Sequence, residues 1–412
     1  MTQQFDDAVV GAGIIGLAHA YHLAKRGRRV LVLERNQRAS GASVRNFGML
    51  WPIGQPVGRL RALALRSLDT WLTVLRAAGL WHERSGSLHL AYHEDELRVL
   101  EEFAAAASSR GFLVCEVLGS REVLERCPFI RSNGLLGGLW SPTETCVDPR
   151  ETIAGLPDHL REAFGVEFVF GCQVNGYDRP RVSAGRREWH ADRLWVCTGD
   201  DLQTLYPEVY EGSGFVRCKL QMMRSRPVLL FPARGTPHPN PPPQGGRETE
   251  RSPRPQARTE LQGWRMGPML AAGLTLGHYK SFAACPSLPA LQERFARDMP
   301  LYDRYGIRVM ASQNAKGEVI LGDSHEYGEA IEPFDSREIE ELILSYLSTF
   351  LDVPGLEIAA RWNGTYVKHP TDPYFVSRPA PGVTVITGVG GAGMTLSFGV
   401  AERVVSETLG EP

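Results

Sequence analysis

The sequence predicts an α/β + β fold with two domains, one an α/β domain assembled from discontinuous segments and the other based on a sheet. Three observations support this prediction. A complete strand–helix–strand unit opens the chain, a buried strand ends in Gly199, and a third such strand runs into the glycine-rich stretch 388–393 near the carboxyl terminus. The 412 residues are enough for two large lobes.

Composition excludes several classes of protein. With 43% apolar and 22% charged residues, the chain has the composition of a globular protein. Its formal net charge of −2 argues against a nucleic-acid partner. No apolar run reaches the roughly 18 residues of a membrane span. A polar, acidic amino terminus and seven scattered cysteines without a CxxC pair predict a cytoplasmic protein with reduced thiols and no metal site.

The first strand–helix–strand unit contains a dinucleotide-binding fingerprint. Residues 7–10 form a strand, a helical pattern follows to about residue 25, and 29–33 form a second strand. Between the first strand and the helix, Gly11 permits a tight turn, Gly13 lets the backbone approach a pyrophosphate, and Gly16 allows close helix–strand packing. Glu34 ends the second strand, where it can accept hydrogen bonds from a ribose. The pattern therefore predicts a Rossmann-type domain.

Two further features favour FAD over NAD. Residues 39–43, with the sequence ASGAS, form a small hydroxyl-rich loop that can line a diphosphate and ribityl chain. Residues 388–393, with the sequence GVGGAG, lie between a strand and a helix, and a helix amino terminus can face the far end of an extended FAD. The sequence therefore predicts FAD bound between the two ends of the chain.

The rest of the chain is predicted to supply helices, a second sheet and an insertion. Amphipathic helices are predicted at 60–78, 94–108 and 339–350, and strands at 87–91, 274–281, 306–311 and 318–322. The stretch 232–262 is rich in proline, glycine and charge, which predicts a disordered surface insertion. The predicted FAD-binding domain comprises 1–82, 146–216 and 334–412, and the predicted substrate domain 83–145 and 217–333.

Three longer strings carry a resemblance to a known family. They are GASVRNFGM at 41–49, RCKLQMMR at 217–224 and GDSH at 322–325. With the two glycine loops, they make the chain similar to the D-amino acid oxidase superfamily, which includes glycine oxidase and sarcosine oxidase. Within it, the chain resembles the clade proposed to oxidise aminophosphonates. The resemblance implies FAD-dependent oxidation of a small anionic amine to an imine, hydrolysis to an aldehyde, and O₂ as electron acceptor.

Departures from the family pattern bear on cofactor and substrate. Gly364 stands where sarcosine oxidase carries its flavin-linking cysteine, which implies non-covalent FAD. Thr395 replaces that relative's carboxylate-binding lysine, and Gln313 or Asn314 stands at the position of glycine oxidase's carboxylate-binding arginine. Loss of both anchors favours a differently placed anion, such as the phosphonate of 2-aminoethylphosphonate. Two alternatives stay open: a glycine, sarcosine or D-amino acid oxidase with another anchor, and a flavin dehydrogenase that uses an acceptor other than O₂.

The resemblance and the motifs together nominate the site residues. Arg45 is the first choice for the substrate anchor, with Lys280 and Lys368 as alternatives. The nominated catalytic or substrate-contacting residues are Arg45, His278, Lys280, His325 and Tyr366. The nominated cofactor-binding residues are Gly11, Gly13, Ile14, Ile15, Gly16, Glu34, Arg35, Ser40, Ser43, Asn46, Phe47, Gly48, Val174, Thr198, Gly199, Gly390, Gly391, Gly393, Met394 and Thr395.

Overall fold

The computed structural model describes residues 4–110, 113–228 and 265–411, and the predicted insertion at 232–262 lies outside them. The strands follow in chain order: β1 (Gln4–Val10), β2 (Val30–Leu33), β3 (Met49–Leu50), β4 (His82–Glu83), β5 (Ser87–Ala91), β6 (Glu116–Gly119), β7 (Gly137–Ser141), β8 (Thr145–Val147), β9 (Glu167–Val169), β10 (Gly176–Asp178), β11 (Arg181–Ala184), β12 (Arg187–Val196), β13 (Val216–Pro227), β14 (Met269–Ala271), β15 (Met310–Gln313), β16 (Glu318–Gly322), β17 (Glu326–Gly328), β18 (Ile358–Lys368), β19 (Phe375–Ser377) and β20 (Val383–Thr387).

The helices alternate with these strands along the chain. They are α1 (Ile14–Ala24), α2 (Arg59–Ala77), α3 (Glu94–Arg110), α4 (Ser120–Arg126), α5 (Pro149–Phe164), α6 (Leu288–Asp298), α7 (Pro300–Arg304), α8 (Arg337–Phe350) and α9 (Gly393–Leu409). None of these helices combines the length and the apolar character that crossing a membrane requires.

The first sheet positions the site. Its strand order is β10-β11-β12-β1-β2-β9, and β20 pairs with β12 and with β19. β1 runs parallel to both β2 and β12, and β20 runs parallel to β12. One face packs against α1, α2, α5 and α9 through an apolar core that includes Trp71, Trp195 and Phe398. The carboxyl ends of β1, β2, β12 and β20 therefore meet at one edge, where ligands of such sheets bind.

The second sheet lies beside this edge. Its strand order is β17-β13-β16-β15-β14-β5-β7-β6, with β18 also paired to β13, so the substrate domain is sheet-based as predicted. Helices α3, α6 and α8 contribute to its core, in which Phe282, Phe295 and Phe350 are buried. A small third sheet, ordered β3-β8-β4, completes the strand pairing.

Two parts of the structure differ from the sequence-based assignment. Within the range 334–412, which was assigned to the FAD-binding domain, α8 and β18 lie with the second sheet, because α8 buries Ile339 and Phe350 in that core and β18 pairs along β13. The predicted strand at 274–281 is instead two short 3₁₀ turns. The Thr275 hydroxyl donates to the Ala272 carbonyl at 2.6 Å, and this local bond favours a turn over a strand.

Candidate active site

The amino-terminal glycine loop lets α1 begin against the sheet edge. Gly11 has φ +105°, and a Cβ there would lie 2.5 Å from the carbonyl oxygen of Cys197 in the neighbouring strand segment. A Cβ on Gly16 would lie 1.9 Å from the Gly11 carbonyl oxygen. The first turn of α1 has no acidic residue, and Gly13 supplies no side-chain cap. Its amino terminus is therefore suited to a phosphate anion.

Glu34 and Ser43 hold this loop in place. One carboxylate oxygen of Glu34 accepts a hydrogen bond from Ala12 N at 2.9 Å, and the other accepts from Asn36 N at 3.0 Å. The Ser43 hydroxyl oxygen accepts from Ile14 N at 2.9 Å. Because a carboxylate has about four acceptor sites, Glu34 can also accept from a ribose hydroxyl. Its contact with the loop is a second role that the motif did not predict.

The carboxyl-terminal glycine loop repeats these features at the end of β20. Gly388 and Gly390 have φ values of +70° and +59°. Helix α9 starts at Gly393 with neither a side-chain cap nor an acidic residue in its first turn. A Cβ on Gly391 would lie 3.5 Å from the Tyr366 hydroxyl. Two uncapped helix amino termini from opposite ends of the chain thus border the same cleft.

The cleft encloses about 1360 Å³, solvent at its mouth included, and its lining carries most of the nominated cofactor residues. Arg35 spans part of it through an ion pair with Asp201 at 3.0 Å. The small residues along the loops leave room where side chains would obstruct a dinucleotide. The nominated residues in the lining are Gly11, Gly13, Ile14, Ile15, Glu34, Arg35, Ser40, Ser43, Asn46, Val174, Thr198, Gly199, Gly390, Gly391, Gly393 and Met394.

Four nominated cofactor residues lie behind the lining and support it. Gly16 makes the close contact with Gly11 already described. A Cβ on Gly48 would lie 1.9 Å from the Val147 carbonyl oxygen, so glycine is required where β3 meets β8. The Phe47 carbonyl accepts a hydrogen bond from the Ser312 hydroxyl at 2.7 Å. Thr395 is buried, and its hydroxyl oxygen accepts from the backbone N–H of Trp51 at 2.9 Å.

The five nominated catalytic residues occupy three different environments. Arg45 and Tyr366 line the cleft, and Arg45 Nη1 donates to the Asn363 carbonyl at 3.0 Å. Lys280 is exposed in a short 3₁₀ turn and does not line the cleft. His278 and His325 lie together, with ring centroids 4.5 Å apart.

The two histidines belong to a group that we call the polar cluster: Arg308, Asp323, Tyr327, His278 and His325. His325 Nε2 lies 3.8 Å from an Asp323 carboxylate oxygen. His325 Nδ1 lies 2.9 Å from the Gly306 carbonyl, which can only accept, so Nδ1 carries the proton and Nε2 has a lone pair. The rings of His325 and Tyr327 are stacked with centroids 6.3 Å apart. The cluster therefore contains a hydrogen-bond acceptor directly beside a carboxyl group.

Strand pairing joins the polar cluster to the carboxyl-terminal end of the cleft. On β13, Cys218 pairs with Tyr327 of β17 on one side and with Tyr366 of β18 on the other. The Cys218 thiol interacts with both tyrosine hydroxyls. The Lys368 ammonium lies 5.4 Å from the centre of the Tyr327 ring, and Lys368 pairs through its backbone with Val389 of the glycine loop. The polar cluster thus adjoins the loop at 388–393.

Burial sets the charges of His278, Asp323 and His325. Desolvation lowers the pKa of His325 to about 4 and lowers that of His278 well below its usual value. The same effect raises the pKa of Asp323 to about 8, although the nearby Arg308 guanidinium opposes this shift. At neutral pH both imidazoles are therefore uncharged and Asp323 is mostly protonated. The positive charges near them belong to Arg308 and Lys368.

Sequence reasoning did not assign roles to Arg308, Asp323, Tyr327 or Cys218. Asp323 lay inside a string used for the resemblance, and Tyr327 follows His325 by two residues. The one local signal was Arg308, a charged residue between the apolar residues Ile307 and Val309, which are both fully buried. Such a placement indicates a largely buried charge that needs an ion-pair or hydrogen-bond partner.

The fold and the cleft define a dinucleotide-binding protein of the Rossmann type. The chain belongs to the DAO family of FAD dependent oxidoreductases, whose family model matches residues 6–407. FAD is thus the cofactor, and the protein is an enzyme, an FAD-dependent oxidoreductase. The site fits this cofactor, because Gly11 and Gly16 let α1 begin close against the sheet edge and residues of both glycine loops line the cleft.

Comparison with individual proteins finds partial sequence matches and a match in fold. The chain is 48% identical over 164 residues to glycine oxidase from Geobacillus kaustophilus, covering 38% of this chain and 43% of the relative. It is 26% identical over 172 residues to mitochondrial sarcosine dehydrogenase from Mus musculus, and this match covers 41% of this chain and 18% of the relative. The chain thus spans less than half the length of these curated relatives. The crystal structure of L-proline dehydrogenase from P. horikoshii matches this fold with a TM-score of 0.74 at 18% identity. The match covers 100% of this chain and 95% of the other chain.

Proposed function

We propose that this enzyme oxidises the carbon next to nitrogen in a small anionic amine, and that the amine is an aminophosphonate related to 2-aminoethylphosphonate. The products are an imine and then, after hydrolysis, an aldehyde with ammonia or a primary amine. The observation that carries this proposal is the placement of the Lys368 ammonium, which has no carboxylate partner among the described residues, beside the polar cluster and next to the carboxyl-terminal glycine loop. A glycine-type oxidase would instead place a cation at the positions used by its carboxylate anchor.

The residues at those anchor positions are engaged in structural contacts. The Gln313 side-chain oxygen accepts from Met266 N at 2.7 Å. The Asn314 side-chain amide donates to carboxylates of Asp148 and Glu318 at 3.0 and 2.8 Å. Thr395 accepts from the Trp51 backbone. Since none of these side chains is a cation, an α-amino acid would lose a charge-assisted bond worth about 1.5–3 kcal/mol here.

The chain's own residues hold the substrate and accept one proton from its ammonium group. When bound, FAD supplies the hydride acceptor for the carbon–hydrogen bond next to nitrogen. The amine must be uncharged for that bond to break, because its lone pair stabilises the developing positive charge on carbon. Asp323 in its ionised form is more basic than His278 and His325, so we assign it the ammonium proton. Burial of Asp323 and His325 limits the access of water to them and strengthens their electrostatic interactions.

The function is tested by anaerobic reduction of the flavin. We expect N-methylated and unsubstituted 2-aminoethylphosphonate to bleach the visible absorption of the holoenzyme faster than glycine, sarcosine or D-alanine at equal concentration. Ethylphosphonate, which has no amine, is the control and should leave the colour unchanged. Bleaching by the amino acids with none by the phosphonates would contradict the proposed substrate.

The electron acceptor is tested in the same samples. We propose O₂, as in the oxidases, and expect rapid return of the yellow colour with formation of hydrogen peroxide when air is admitted. The similarity to sarcosine dehydrogenase and the absence of a lysine from positions 328–331 favour a second candidate, a dehydrogenase with another acceptor. Very slow return of colour in air would select the dehydrogenase.

A further inference from the structure

Lys368 is a cation without an anionic partner, and it directly follows Tyr366 and Val367, which line the cleft. In the described parts of the chain, no carboxylate oxygen lies within 4.0 Å of its ammonium group. The Tyr327 ring lies beneath that ammonium at 5.4 Å, which restricts its position through a cation–π contact. The Cγ atom of Lys368 lies 3.8 Å from the position that a Cβ on Gly390 would occupy. Lys368 is therefore both fixed in place and available to bind an anion.

The surroundings of Lys368 leave its charge uncompensated. Its field reaches Cys218, His278 and His325, where it contributes to the electrostatics of each group. The nearest buried carboxyl group in the cluster, Asp323, is mostly protonated at neutral pH. Arg308 adds a second positive charge, which the exposed Asp303 opposes only in part at 3.8 Å. The region around Lys368 and Arg308 thus attracts anions, and a doubly charged anion more than a singly charged one.

The other two nominated anchors are less suitable. Arg45 donates to the Asn363 carbonyl and extends from the loop that also supplies Ser43, on the side of the first glycine loop. Arg45 therefore lies apart from the polar cluster. Lys280 follows His278 of the cluster by two residues, but it is exposed, so solvent screens its charge.

We propose that the Lys368 ammonium binds the anionic head group of the substrate, and that it prefers a phosphonate dianion to a carboxylate. Arg308 strengthens this preference through its charge without direct contact. The amine end of the substrate then points toward Asp323 and His325. This inference rests on the proposed function, since it names the residue that selects the substrate class.

Binding of unreactive anions to the holoenzyme tests the inference without turnover. We expect methylphosphonate to perturb the visible flavin spectrum and to compete with the substrate, and to bind more tightly than acetate. Lys368→Met should weaken methylphosphonate binding at least about tenfold, the loss expected for one charge-assisted bond. Lys368→Arg should restore part of it. Lys25→Met is the matched control, because Lys25 also lies over a tyrosine, Tyr21 at 5.6 Å, but on the exposed end of α1.

The outcomes separate this inference from the proposed function. If aminophosphonates bleach the flavin but Lys368→Met binds methylphosphonate as tightly as the wild type, Lys368 is not the anchor and the function stands. If no aminophosphonate bleaches the flavin while methylphosphonate binding depends on Lys368, the anchor stands and the function fails. Equally weakened methylphosphonate binding in Lys25→Met would also overturn the inference, because loss of any positive charge on the protein would then have the same effect.

Discussion

Gly16→Ala is expected to yield a protein that retains little FAD and unfolds at a lower temperature. An added Cβ would lie 1.9 Å from the Gly11 carbonyl oxygen and 3.3 Å from a Val9 methyl group. Both atoms belong to the sheet edge that supports the first glycine loop, so α1 must move away from β1. Overpacking of this kind lowers the free energy of unfolding by about 1–3 kcal/mol. The flavin content after gel filtration and the melting temperature measure the two effects.

The matched control is Gly119→Ala. Gly119 precedes α4 with φ −70°, and its Cβ would meet only a Glu122 oxygen at an ordinary 3.7 Å. We expect this variant to keep its flavin and its melting temperature. A Gly16→Ala protein as yellow and as stable as the control would show that the close helix–strand contact is not needed for the cofactor.

Asp323→Asn is expected to stabilise the protein near pH 8 while slowing amine oxidation. Burial raises the pKa of Asp323 from 3.8 to about 8. Between these values the unfolded chain has lost the proton that the folded chain keeps, so wild-type stability falls as the pH rises through this range. Asparagine removes this penalty, which is on the order of a few kcal/mol at about 1.4 kcal/mol per pKa unit. Melting temperatures from pH 5 to about pH 8 measure the growing difference.

The same substitution removes the proposed proton acceptor. In the wild type, the fraction of ionised Asp323 increases as the pH passes about 8, so kcat/KM should rise there. Asp323→Asn should lose that rise. Asp69→Asn, at an exposed position of α2, is the control for both measurements. A stability difference that shrinks with increasing pH, or an unchanged pH profile of kcat/KM, would contradict the assignment.

The cofactor half of the site was predictable because its signals are local. Gly11, Gly13 and Gly16 lie within six residues at the junction of a strand and a helix, and backbone geometry alone requires them. The loop at 388–393 carries the same kind of signal. What the motif could not reveal is the link from Glu34 to the Ala12 backbone, since it depends on the parallel pairing of β1 with β2.

The substrate half was less predictable because its residues meet through long-range strand pairing. Arg308 and Asp323 exchange backbone hydrogen bonds, and Cys218 joins Tyr327 and Tyr366 across three strands. No periodicity within one segment encodes these contacts. The strand predicted at 274–281 was wrong for a different, local reason: its apolar residues suit a strand, but the Thr275 hydroxyl donates to the Ala272 carbonyl and closes a turn.

The glycine loops at the two ends of the chain are expected to bind one FAD without a covalent bond. Acid precipitation of the purified holoenzyme, followed by quantification of flavin in the supernatant and in the pellet, measures this. We expect one FAD per chain, all of it in the supernatant, because Gly364 offers no thiol for attachment. A colourless protein that stays colourless after reconstitution with FAD, or flavin that remains with the pellet, would contradict it.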